Sequence, residues 1–110
     1  MRKSNGHEYE FEVEGEGRFV YAAHTIGDHV KIRRRFIELS GGLHDPELEV
    51  CASAIAAHEV LCVSCPRKWE DMAGVDGDDL LALVKIREAS VVALDLFRGR
   101  PVVADAKAGA

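Results

Sequence analysis

The stretch Glu8-Tyr9-Glu10-Phe11-Glu12-Val13-Glu14 runs into Gly15-Glu16-Gly17 and then into Arg18-Phe19-Val20-Tyr21-Ala22, and its reading decides the fold. Tyr9, Phe11 and Val13 alternate strictly with glutamates, the period-2 pattern of a half-buried strand. Two glycines permit positive φ and supply a tight turn. The second block returns as the partner strand. Thr25-Ile26-Gly27-Asp28 then opens a helix with capping-box spacing, Asp standing in for the usual Glu or Gln. A two-stranded hairpin is marginal in water, so its apolar face must pack on helices.

Outward from this block the chain reads as helices. The first spans about Ile26 to Leu39, with Ile26, Val30 and Ile37 on one stripe and Ile32, Phe36 and Leu39 widening it on one side at ~100° per residue. Arg33 falls inside that apolar sector, where an arginine lays its stem on the core and keeps its head in water. Ser40-Gly41-Gly42 ends the helix. Asp45-Pro46 starts the next, as N-cap and first helical residue. This second helix is expected from about Pro46 to Cys65, small, apolar and central, with Pro66 limiting it. Residues 66–77 form a polar loop in which Trp69 covers the core edge. Asp76 or Asp78 caps a third helix from about Leu80. Val91 to Phe97 is apolar on nearly every side and, being β-branched at Val91 and Val92, also suits a strand. The expected fold is α+β, a two-stranded hairpin on about three helices, over residues 8–98, with flexible tails at 1–7 and 99–110.

A chain of 110 residues makes one domain and buries roughly 65% of its unfolded surface. It is 47% hydrophobic and 30% charged, with a net charge of −5. The acidic balance argues against a nucleic-acid partner, which calls for a basic face. Acids crowd Glu8 to Glu16 and Glu70 to Asp79, while Arg33, Arg34 and Arg35 form a basic run; each reads as a solvated face, with partner docking as the sharper alternative. No apolar run approaches the ~20 residues of a membrane span, and the polar start, Met1 to Glu8, does not read as a signal peptide. Three cysteines, an odd number, suit a reducing cytoplasm.

Chemical motifs are few. Cys62-Val63-Ser64-Cys65 is a CxxC, but at a helix C-terminus the dipole opposes thiolate formation, which disfavours redox catalysis. His58, Cys62 and Cys65 at i, i+4 and i+7 share a helix face and could begin a metal site, yet structural zinc takes four ligands. Cys51 lies about 10 Å from His58 along the same helix, and His44 or His24 joins only through folding. Cys51, Cys62 and Cys65 are expected to be reduced, mostly buried and metal-free. No nucleophile stands beside a base, Asp76, Asp78 and Asp79 do not make a calcium loop, and Gly15 and Gly17 are not a phosphate loop. No enzyme and no cofactor are expected. A single helix cannot turn Val91, Val92, Leu94, Leu96 and Phe97 all toward one core, which points to a partner or a second copy.

Phe11 to Val20, carrying Gly15-Glu16-Gly17-Arg18-Phe19, followed by Thr25-Ile26-Gly27-Asp28, resembles the opening of the small tail assembly chaperones of long-tailed bacteriophages and prophages. Ile55 to Trp69, with Val60-Leu61-Cys62-Val63, Pro66 and Trp69, is similar to that family's helix-then-Pro-then-Trp segment. Leu80 to Val84 onward resembles its last helix. The resemblance covers about residues 10 to 98. The cysteines and His58 stand outside its pattern, and Val91 to Phe97 is more apolar than its usually charged last helix. It implies a non-catalytic cytoplasmic protein of a bacterial host. Such a protein keeps a tape measure protein soluble and helps tail tube subunits assemble, in many phages with a longer frameshifted form. Val91, Val92, Leu94, Leu96 and Phe97 would then dock the helical client, with Arg33, Arg34 and Arg35 setting orientation. The alternatives are a small structural component of the tail or neck and a metal-binding domain using His58, Cys62 and Cys65.

Overall fold

The computed structural model describes residues 3–4, 6–69 and 71–99. Its elements are β1 (Glu8–Val13), β2 (Gly17–Ala22), α1 (Ile26–Ser40), α2 (Pro46–Leu61), β3 (Cys62–Ser64), a 3-10 turn (Met72–Gly74) and α3 (Gly77–Phe97). The architecture is α+β, as expected, with a short third strand added to the hairpin. Of the expected tails, residues 1, 2, 5 and 100–110 lie outside the described residues. At the other end the His7 carbonyl accepts from the Ala23 amide at 2.8 Å, extending the β1–β2 pairing by one position.

β1 and β2 pair antiparallel from Glu8 opposite Ala22 to Val13 opposite Gly17. Tyr9, Phe11 and Val13 are buried and Glu10 and Glu12 exposed, as the alternation dictates. Phe11 stacks on Phe19 at 5.7 Å and meets Tyr21 edge-on at 5.0 Å. Gly17 must be glycine for two reasons: its φ is +112°, and a Cβ there would sit 3.0 Å from Cγ of Pro66. Lys85 of α3 donates to the Glu14 carbonyl at 2.9 Å, pinning the turn to the last helix.

The capping box forms. The Thr25 hydroxyl accepts from the Asp28 amide at 3.2 Å, and the Asp28 carboxylate accepts from the Thr25 amide at 3.0 Å. Gly41 closes α1 in the left-handed region at φ +64°. The inward face of α1 differs from the one the stripe suggested. Ile26, Val30 and Ile37 are exposed, at 82%, 43% and 49%, while Ile32 and Leu39 pack against the core and Phe36 is half-buried. The reason lies in Arg33: burying the stripe of Ile26, Val30 and Ile37 would bury its guanidinium without a partner, and an unpaired buried charge is costly. Arg33 instead stays exposed, 5.0 Å over the Phe36 ring.

α2 is capped by Asp45, which accepts from the Leu48 amide at 3.1 Å. It is central, with Ala52, Ala54, Ala56 and Ala57 all buried so that neighbours approach closely; α1 packs on one side and α3 on another. It ends at Leu61 and not at Cys65. Cys62 is extended, and Cys62–Ser64 joins the free edge of β2, with Cys62 opposite Tyr21 and Ser64 opposite Val20. An apolar strand edge left open is a liability, and β-branched Val63 favours the extended state.

α3 starts earlier than expected, at Gly77. Asp76 is its N-cap residue but makes no side-chain capping bond; Asp78 and Asp79 in the first turn complement the helix dipole. Val91 to Phe97 is helix, not strand. Its opposite face supplies Leu83, Ile86, Ser90 and Leu94 to the core, and that packing overrides local strand preference. No helix among the described residues is long and apolar enough to cross a membrane.

Candidate functional site

The residues expected to dock a partner divide in the folded chain. Val91, Val92, Leu96 and Phe97 are 42%, 47%, 63% and 50% exposed. Leu94 does not belong with them: at 9% exposure it joins the core of Tyr9, Phe11 and Ile86, because its position on the helix points at β1 and α2 when Val91 and Val92 point away. Phe97 has one side occupied, its ring lying 5.8 Å from that of Tyr9. Arg33 and Arg34 are exposed. Arg35 is engaged inside the fold: its guanidinium donates to Glu59 at 2.7 Å and to Glu38 at 3.1 Å, bridging α1 to α2. Sequence reasoning missed the outward stripe of Ile26, Val30 and Ile37, flanked by Arg33 and Arg34. The signal was there, an arginine amid apolar residues marking the face that cannot be buried.

A second locus gathers around the end of α2. The donor atoms of His58, Cys62 and Cys65 all lie within 4.8 Å of one another. They line a cavity of about 360 Å³ with Glu59, Lys68, Trp69 and Met72. On a continuous helix Cys65 would sit about 10 Å along the axis from His58. Ending α2 at Leu61 and running Cys62–Ser64 along β2 leaves its sulfur beside His58 instead, and its thiol reaches the Arg67 carbonyl at 3.0 Å. Trp69, expected over the core edge, lies edge-on to His58 at 5.3 Å, with the Arg67 guanidinium 4.7 Å over its own ring.

The electrostatics of this locus follow from burial. His58 is buried, and desolvation lowers its pKa to about 4, so the ring is neutral at pH 7. Its Nδ1 pairs with the Tyr21 hydroxyl at 2.6 Å. Burial first, and the neighbouring Cys65 next, push the Cys62 thiol up to about 12. The helix-dipole argument against redox chemistry does not apply, since the pair is not helical. Burial takes its place, because a thiol that resists ionisation is a poor nucleophile.

No protein-family model, no curated protein and no solved structure matches the chain.

Proposed function

We propose that this chain is a non-catalytic client-binding protein of the tail assembly chaperone type, acting in the cytoplasm of a bacterial host. Its client would be a long helical tape measure protein, held soluble while tail tube subunits assemble. The observation that carries the reading is the set Val91, Val92 and Leu96 on the outer side of α3, apolar side chains 42%, 47% and 63% exposed, with Phe97 at its edge, one face on Tyr9 and the other open. Water-facing apolar groups grouped on a helix suit an amphipathic helical partner. Burying the exposed half of two or three of them contributes about 1 kcal/mol each before ordering costs. The stripe of Ile26, Val30 and Ile37 on α1 offers a second apolar face, and Arg33 and Arg34 beside it favour an acidic client segment. The resemblance of residues 10 to 98 to that chaperone family supports the same reading.

The test is co-expression with a phage tape measure protein. The wild-type chain keeps that client in the soluble fraction; a Val92→Asp/Leu96→Asp variant with wild-type circular dichroism does not. Equal rescue by the variant would remove α3 as the docking surface. Recovery of the chain in purified particles would instead favour a structural tail or neck component.

A further inference from the structure

We propose that His58, Cys62 and Cys65 form a zinc site with three protein ligands and a fourth position open to the adjoining cavity. The inference is independent of the client-binding reading.

The donor set is the first support. Two thiols and an imidazole are soft-to-borderline ligands that select zinc among the common divalent ions. Their donor atoms lie within 4.8 Å of one another. A tetrahedral ion with Zn–S near 2.3 Å and Zn–N near 2.1 Å wants donors about 3.5–3.8 Å apart, so the widest pair closes by roughly 1 Å. Cys65 is only half-buried and follows a three-residue strand, so that closure falls on the loop side and leaves α2 in place.

The surroundings are the second support. Zinc-ligating histidines are held by a hydrogen bond from the ring nitrogen that does not bind the metal. Here Nδ1 of His58 is paired with the Tyr21 hydroxyl at 2.6 Å in the buried interior. When Nδ1 carries the proton and the hydroxyl accepts it, Nε2 presents its lone pair. The Ser64 amide donates to the Cys62 sulfur, the kind of contact that steadies a thiolate. Trp69 lines the cavity, and its Nε1 is buried without a hydrogen-bond acceptor among the described residues; an oxygen ligand in the cavity would supply one.

Charge is the third. Zinc binding releases one proton from each thiol to solvent, and the ion with two thiolates and a neutral imidazole carries no net charge. A neutral complex can occupy this partly buried position without leaving an uncompensated ion. Glu59, the carboxylate lining the cavity, is bonded to Arg35 at 2.7 Å, which leaves the fourth position to water or an incoming donor.

Cobalt titration of the reduced, metal-free full chain tests the site. The expected result is one equivalent bound, with thiolate-to-cobalt charge-transfer absorption and tetrahedral d–d bands that zinc abolishes. Cys65→Ser, chosen because the residue is half-buried and the variant can be checked by circular dichroism, should weaken binding at least tenfold. Cys51→Ser should bind as the wild type does. Alkylation mapped by mass spectrometry needs no variant: one equivalent of zinc should protect Cys62 and Cys65 and leave Cys51 reactive. Absence of the charge-transfer band, equal loss in Cys51→Ser, full retention in Cys65→Ser, or a Cys62–Cys65 disulfide with no metal uptake after reduction would each overturn the proposal.

Discussion

The Tyr21 hydroxyl lies 2.6 Å from Nδ1 of His58, and this buried bond ties the middle strand of the sheet to the middle helix. It also explains why a histidine can be buried on α2 among alanines. One ring nitrogen is satisfied by the sheet, and the ring packs edge-on against Phe19, Tyr21 and Trp69 at 6.2, 5.7 and 5.3 Å.

His58 makes folding pH-dependent. Its folded pKa, about 4, lies below the usual 6.5, so the unfolded chain binds the proton more readily. The associated stability is complete above pH 6.5 and is lost as pH falls toward 4. The full loss is roughly 3 kcal/mol at ~1.36 kcal/mol per pKa unit. Urea denaturation of metal-free protein from pH 7.5 to 4 should show it, and His58→Gln should flatten that part of the profile. Parallel profiles for the two proteins would contradict it.

Gly17 and Gly41 separate backbone strain from crowding. Both have positive φ, but only Gly17 has a neighbour where a Cβ would go, Cγ of Pro66 at 3.0 Å. Gly41→Ala should cost about 1 kcal/mol from the left-handed conformation alone. Gly17→Ala should cost more, about 2 kcal/mol or above, since Pro66 must also move. Thermal midpoints of the two variants give the comparison.

Leu94 and Val92 should differ sharply in how much substitution costs. Leu94→Ala opens a cavity beside Tyr9 and Ile86 and should destabilise by about 2–5 kcal/mol. Val92→Asp is on the exposed side and should stay within about 0.5–1 kcal/mol of wild type. A destabilisation by Val92→Asp as large as that by Leu94→Ala would place Val92 inside the fold and withdraw it from the docking surface.

The Arg35–Glu59 pair, 2.7 Å apart with side chains 30% and 27% exposed, joins α1 to α2. A double-mutant cycle through Arg35→Ala and Glu59→Ala should give a coupling of about 0.5–1 kcal/mol that shrinks in high salt. Zero coupling at low salt would mean the pair orients α1 without stabilising it.

Much of the architecture was legible because its determinants lie within four residues of one another. The alternation from Tyr9 to Val13, the glycines of the turn, the Thr25–Asp28 capping box and the Asp45-Pro46 helix start each act locally, and each appears where the sequence places it. The α+β class follows from these signals alone.

What the sequence could not determine depended on surfaces far away along the chain. α1 carries two apolar stripes; Arg33 marks Ile26, Val30 and Ile37 as the one that must face water, but only contact with α2 decided how Ile32 and Leu39 are covered. α2 ends at Leu61 because β2, some 40 residues earlier, offers Cys62–Ser64 a free edge. That one non-local pairing breaks the helix, returns Cys65 to His58 and creates the His–Cys–Cys cluster. Local propensity is weak beside the hydrogen bonds and burial gained when a distant edge is closed, so the sequence by itself determined the elements, and tertiary contact decided where α2 stops, which faces are buried and which side chains meet.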